Sequence, residues 1–231
     1  MGSIQCVVKS IEPLTDYVYR VLLEAPQPAE FKAGQYLQLV LSDSDKRPFS
    51  IANAPGAAEL ELHIGASGED SFAMGAIEHL KSNTQVSIEY GLGEAYFREE
   101  SMNPIVLIAG GTGFSYINSI AQYLATQQTK RPVFLYWGVK HESALYALQN
   151  MQQWADRRAN FQFIPVVETP LDDWSGKTGR VHEAVMADIV SLEPYDIYMA
   201  GRFEMIGLAR DEFIQHGALL ENMYADAFAY I

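Results

Sequence analysis

Residues 104–116 read PIVLIAGGTGFSY, from Pro104 to Tyr116, and the reading of this stretch decides the fold. The apolar run Ile105 to Ala109 has the composition of a buried strand. It enters the glycine cluster Gly110-Gly111-Thr112-Gly113, and a helix-compatible run follows from Phe114 to Ala125. A buried strand, a tight turn and a helix together make a nucleotide pocket. The free N–H groups at the helix start can face an anionic phosphate, and glycines let ligand and backbone approach closely. The spacing is GGTG and not GxGxxG, so the turn taken alone also fits a βα connection that binds nothing.

Downstream the pattern repeats. Val133 to Trp137, Phe161 to Val167 and Tyr195 to Ala200 read as further strands, with helices expected over His141 to Ala155, Val181 to Ile189 and Glu204 to His216. Ala225 to Tyr230 reads as a short terminal strand. Strands alternating with helices predict a doubly wound, mostly parallel sheet with helices on both faces. Ligands of such sheets bind beyond the carboxyl ends of the strands. Those ends are Gly110 to Gly113, Trp137-Gly138, Val167-Glu168 and Gly201-Arg202. Trp137 also fits a packed aromatic, and Glu168 a solvated strand end. The loop Trp174 to Arg180 is glycine-rich but lacks the spacing of a Walker motif.

Upstream the period changes. Ile4 to Ser10, Tyr17 to Leu23, Tyr36 to Leu41, Pro48 to Ile51, Glu59 to Ile64 and Val86 to Tyr90 read as short strands, with a helix over Ser71 to Leu80. In ELELHI, Leu60, Leu62 and Ile64 alternate with polar residues, so one face is buried. This spacing predicts a small antiparallel barrel or sandwich. The polar stretch Arg98 to Pro104 marks the junction, giving an N-terminal domain over 1–100 and a C-terminal domain over 101–231. Arg47-Pro48-Phe49-Ser50 is the chemically loaded stretch of the first half. Arginine pairs with phosphate and serine both donates and accepts, although a surface arginine on a polar strand reads the same way.

Composition narrows the class. The chain has 231 residues, 16 Lys and Arg against 29 Asp and Glu, and a net charge of −13. That balance argues against nucleic acid or an anionic membrane as partner. With one cysteine, Cys6, there is no internal disulfide. The histidines form no metal-ligand spacing, so no metal site is expected. A reducing cytoplasm is the expected setting. The N-terminal MGSIQCVVKS has no signal-peptide core, and no apolar run approaches the ~20 residues of a membrane span.

The joint order RPFS, ELHIG, AGGTGFS, YWG, AGRFEM and the terminal DAFAYI resembles the ferredoxin–NADP reductase superfamily, and within it the bacterial NAD(P)H–flavin oxidoreductases of the Fre/LuxG type. The resemblance spans essentially the whole chain. It implies a flavin-binding antiparallel β-barrel joined to a nicotinamide-binding α/β domain. Arg47, Pro48, Phe49 and Ser50 match the flavin motif: the arginine toward the phosphate or ribityl side, the aromatic residue beside the ribityl or ring system, Ser50 at flavin N5. His63, Ile64 and Gly65 match the flavin-side strand end. Gly110, Gly111, Thr112, Gly113 and Phe114 match the nicotinamide motif, with Thr112 near the junction of the two rings, and Trp137 and Gly138 match the following strand end. Gly201, Arg202, Phe203, Glu204 and Met205 match a segment that commonly begins Cys-Gly-Pro. Here Ala200 and Arg202 replace the cysteine and proline, which leaves no cysteine-assisted site. Arg202 is either a phosphate contact or solvent-facing. Phe228 or Tyr230 is either an aromatic against the isoalloxazine or part of a packing edge strand. Ala66 to Asp70 shows no extended adenine-binding loop.

The implied reaction is hydride transfer from NADH or NADPH to FMN, riboflavin or FAD, with flavin bound weakly as a substrate and Ser50 as the catalytic side chain. Reduced flavin would supply a downstream enzyme, and the family suggests a monomer. The rivals are a reductase with tightly held flavin serving a protein acceptor, and a nucleotide sensor without turnover.

Overall fold

The computed structural model describes residues 2–66 and 71–231. Two compact units divide the chain. The first runs to Phe97 and takes in Asn118–Gln127. The second holds Arg98–Ile117 and Gln128–Ile231.

The first unit contains β1 (Gly2–Pro13), β2 (Val18–Glu24), β3 (Tyr36–Ser42), β4 (Asp45–Ser50), β5 (Glu59–Gly65), α1 (Ser71–Ser82) and β6 (Gln85–Leu92). The strands form one antiparallel sheet in the order β4-β3-β6-β1-β2-β5. Register shifts at Val8/Ser10, Tyr36/Gln38 and Val40/Ser42 bend the strands. The bend brings the sheet's ends together at an Ile51–Leu62 bridge, beside an Ala52 N–H to Glu61 carbonyl bond of 2.7 Å. The result is the expected barrel, closed past β4 by that bridge. Among the described residues, the outer edge of β4 from Asp45 to Ser50 has no strand paired to it. The alternation of β5 is as expected: Leu60, Leu62 and Ile64 join Val21, Leu37, Leu39 and Ile88 in the core, with Ala76, Ile77 and Leu80 of α1 packed on them. Asn118 and Ser119 donate to the carbonyls of Ala52 and Asn53 at 2.9 and 2.8 Å, holding the segment that leaves β4.

The second unit contains β7 (Ile105–Gly110), a 3-10 turn (Gly111–Gly113), the start of α2 (Phe114–Thr126, whose residues from Asn118 on belong to the first unit), β8 (Val133–Val139), α3 (Leu148–Arg157), β9 (Phe161–Val167), β10 (Lys177–Thr178), α4 (Val181–Asp188), β11 (Asp196–Ala200), α5 (Phe203–Gln215) and β12 (Met223–Tyr224). All strands are parallel, in the order β10-β9-β8-β7-β11-β12. The order reverses between β7 and β11, and a crevice opens at the carboxyl ends of two such strands. Val106, Ile108, Tyr136 and Met199 face α4 and α5. On the opposite face Trp137 stacks on Phe114 of α2. No helix among the described residues is long and apolar enough to cross a membrane.

Three local expectations are corrected. The helix expected from His141 is a 3-10 turn at Glu142–Ala144 followed by α3 from Leu148. The glycine-rich loop after Trp174 contains β10, paired with Val166 and Val167. The terminal segment is not a strand past Tyr224. Phe228 and Tyr230 donate to the carbonyls of Ala225 and Ala227, and Asp226–Ala229 coils into a 3-10 turn. Alternating alanines give a strand little branched surface to pack and favour a helical backbone.

At the other end of the parallel sheet Arg131 and Asp196 form a buried pair. Arg131 Nη2 lies 2.6 Å from Asp196 Oδ2, with side chains 8% and 1% exposed. Arg131 Nε donates to the Asn103 carbonyl at 2.5 Å, and Asn103 Nδ2 to Asp196 Oδ1 at 2.9 Å. This network ties together the entries to β7, β8 and β11. R131M strands the Asp196 charge and is expected to cost about 3–5 kcal/mol, read as a lower denaturant midpoint. The double variant R131M/D196L should recover most of that loss; a single variant as stable as wild type would contradict the role of the pair.

Candidate active site

The glycine turn is built from two kinds of glycine. Gly113 is required by backbone packing, and Gly110 and Gly201 are closed in by the flexible end of Met205. A Cβ on Gly110 would fall 2.5 Å from Met205 Sδ, and one on Gly201 2.9 Å from Met205 Cε. A Cβ on Gly113 would overlap the Ala200 carbonyl and lie 2.9 Å from Gly201 N. Gly111 differs. Its φ is +54°, in the left-handed region, and a Cβ there would meet nothing within 4 Å. The turn is therefore packed tightly from below and open at Gly111. The Phe114 N–H is taken up by the Gly111 and Thr112 carbonyls, and the turn's own first N–H groups, from Gly111 to Gly113, have no intrahelical acceptor. An open cradle of backbone donors fits the anionic or amide groups of a pyridine nucleotide. Thr112, half-buried, sits within it.

Trp137 and Phe114 support the turn from behind. Their rings stack at 3.9 Å and 14°, both fully buried, and Tyr146 meets each edge-on. Trp137 Nε1 donates to the Gly111 carbonyl at 2.9 Å. Both side chains hold the turn's shape and present no surface to a ligand, because the apolar end of β8 is covered by α2. Gly138 is likewise a packing glycine: a Cβ would lie 2.6 Å from Val181 Cβ at the start of α4. Arg202, exposed, is the N-cap residue of α5, with Glu204 in that helix's first turn. Phe203 and Tyr230, 50% and 72% exposed, stack at 5.6 Å and 17°. Phe228 instead packs against the core under Arg210.

On the barrel, strand alternation puts Arg47 and Phe49 on one face of β4 and Pro48 and Ser50 on the other. Arg47 pairs across to Leu39 and Phe49 to Leu37, and Phe49 packs on the barrel core. Pro48 is exposed. Ser50, opposite Tyr36, is half-buried, and among the described residues its hydroxyl has no hydrogen-bond partner. A ligand lying along the unpaired edge of β4 reaches residues of both faces. A half-buried hydroxyl and a row of backbone groups on an open edge suit a flat, hydrogen-bonding ring such as a flavin.

On β5 the residues diverge. Ile64 is buried in the core, which leaves only its backbone for a ligand. His63 Nε2 lies 2.8 Å from Glu61 Oε1, and Arg20 Nη2 donates to Glu61 Oε2 at 2.9 Å. Burial alone would raise the Glu61 carboxyl, but the hydrogen bonds from His63 and Arg20 outweigh it and hold it at about 2. Gly65 ends the strand, paired with Val18. Of the segment after it, residues 67–70 lie outside the described residues. Sequence reasoning missed Asp45 and Gly75, which enclose Arg47. Asp45 was visible two residues before Arg47, at strand spacing for a same-face pair.

The packing roles are separable. G113A drives a Cβ into backbone and is expected to cost about 1–3 kcal/mol or more, whereas G110A displaces only the flexible Met205 and costs less. Denaturant unfolding of both variants measures the difference; G113A as stable as wild type would contradict the close approach.

Residues 107–211 match the family model of the oxidoreductase NAD-binding domain. The chain is 48% identical over 236 residues to an NAD(P)H-flavin reductase of Vibrio harveyi, covering 99% of this chain and 100% of that one. It is 47% identical to an NAD(P)H-flavin reductase of Aliivibrio fischeri, covering 99% of each. Among solved structures, a cytochrome P450 reductase of Amycolatopsis superposes with a TM-score of 0.87 at 26% identity, over 97% of this chain and 69% of that one. Likeness at nearly one residue in two, from end to end of both sequences, makes this chain a member of the NAD(P)H-flavin reductase family.

Proposed function

We propose that the chain uses NADH or NADPH to reduce a flavin that it binds as a diffusible substrate, with Ser50 as the catalytic side chain. The observation that carries this reading is the hydroxyl of Ser50, half-buried and without a hydrogen-bond partner among the described residues, at the end of the open edge of β4. When both groups are bound, the nicotinamide supplies a hydride from C4 and the flavin accepts it at N5. The chain's part is to bind and orient. The β4 edge from Arg47 to Ser50 receives the flavin, and the Gly111–Gly113 turn receives the nucleotide, with Thr112 among its contacts. Trp137 and Phe114 keep the turn in its binding shape. Ser50 donates to the flavin where negative charge develops on reduction, an interaction stronger in the transition state than in the ground state. Arg202 stands ready for a nucleotide phosphate. Nothing in this scheme requires a nucleophilic side chain or a metal. The reduced flavin leaves for an enzyme that consumes it, and the setting is the cytoplasm, with the chain acting as a monomer.

S50A is the direct test. Loss of one hydrogen bond to a developing charge lowers single-turnover hydride transfer roughly 10- to 100-fold, with an unchanged melting temperature, and S50T restores much of the rate by returning a hydroxyl. Unchanged transfer in folded S50A would remove Ser50 from the mechanism.

A further inference from the structure

Arg47 is the arginine of β4, and its cation is already engaged. Nε and Nη2 donate to the two oxygens of Asp45 at 2.9 and 2.7 Å, a bidentate fork. Nη1 donates to the Phe72 carbonyl in the first turn of α1, and the guanidinium lies 4.9 Å from the centre of the Phe72 ring. The next turn of α1 closes the space behind: a Cβ on Gly75 would fall 2.6 Å from Nη1. The pair is unequally exposed. The Arg47 side chain is 14% exposed and that of Asp45 39%. Approached from solvent, the pair shows more carboxylate than guanidinium. The hydrogen bond from Arg47 holds the Asp45 carboxyl below its usual range, so it carries full charge at neutral pH.

This bears on which flavin the site prefers. Riboflavin is uncharged, whereas a phosphomonoester such as that of FMN carries ≈ −1.5 to −2 at pH 7. Arg47 stands three residues before Ser50, about 10 Å along the strand, within reach of the side chain of a flavin ring seated at Ser50 and directed along β4. We propose that Asp45 is a specificity-determining residue: by holding Arg47 in a bidentate pair it neutralises the cation that would otherwise anchor a flavin phosphate, and so shifts the site toward phosphate-free flavin. This rests on the reading that flavin lies along β4. Asp45 touches no reacting atom and acts through Arg47.

The test is binding without turnover. Dissociation constants for riboflavin and FMN are measured by flavin fluorescence quenching, without nicotinamide, for wild type, D45N, R47A and D45N/R47A. D45N is expected to tighten FMN roughly tenfold while changing riboflavin less than twofold, and the FMN gain should shrink as salt is raised. R47A should weaken FMN more than riboflavin, because Asp45 is then uncompensated, and the gain from D45N should vanish in the double variant. If R47A weakens FMN but D45N shifts both flavins by one common factor, or neither, the role of Asp45 is overturned while the β4 site stands. If neither variant alters the binding of either flavin, the placement of flavin on β4 falls, and this inference with it.

Discussion

The second unit depends on a close approach of backbone to backbone. The turn leaving β7 and the end of β11 meet at a separation that leaves no room for a Cβ on Gly113, and only the flexible end of Met205 stands against one on Gly110 or Gly201. Three consequences follow from that contact. Neighbouring strands β7 and β11 end at one level, which places their carboxyl ends at the sheet's reversal of order. Helix α2 starts directly from the turn, its Phe114 N–H bonded back to the Gly111 and Thr112 carbonyls. Gly111, the one glycine of the turn not enclosed by packing, adopts a positive φ on the open side. The surface proposed to bind the nucleotide thus lies on tight packing beneath it: of the glycines that look like ligand contacts in sequence, Gly113 is the one that lets the turn approach the backbone of β11.

Electrostatics repeats one device in both units. An acidic chain holds key cations in specific carboxylate pairs: Arg131 with Asp196, Arg47 with Asp45, and Arg20 with Glu61. Their burial differs, and so do their consequences. The Arg131 pair is enclosed, so its value lies in not leaving a lone buried charge. The Arg20 pair is part of a partly buried network with His63 that secures the outer face of β5. The Arg47 pair is partly open and adjoins the β4 edge, where, on the placement of flavin proposed above, neutralising a cation bears on recognition as much as on stability.

Much of this architecture was legible in the sequence. The two-residue period of ELELHI predicts Leu60, Leu62 and Ile64 inside, because a strand pleat admits no other pattern, and they are inside. The uninterrupted apolar runs of β7 and β8 predict strands covered on both faces. The terminal segment was not legible, since alternating alanines satisfy a strand and a 3-10 turn alike until the register with β11 runs out at Tyr224. Trp137 was ambiguous for a related reason: an aromatic at a strand end has the same local signature whether it faces a ligand or props a turn, and only its stacking on Phe114 distinguishes them. The Arg131–Asp196 pair joins residues 65 positions apart, a distance over which one sequence carries no pairing signal. Met205 was placed in the nucleotide segment, but its part in filling the space beside two glycines emerges only from their proximity.

The measurement that tests the central claim most directly is anaerobic stopped-flow absorbance of flavin-stripped protein mixed with NADH or NADPH and a large excess of riboflavin or FMN. The account predicts loss of the oxidised-flavin band through many turnovers per protein molecule, with the faster nucleotide marking the preferred donor. Reduction that stops at one flavin per protein would contradict a diffusible-substrate reductase and favour tightly held flavin serving a protein acceptor. No reduction of flavin by either donor, with binding of both demonstrated, would contradict the assignment of the reaction itself.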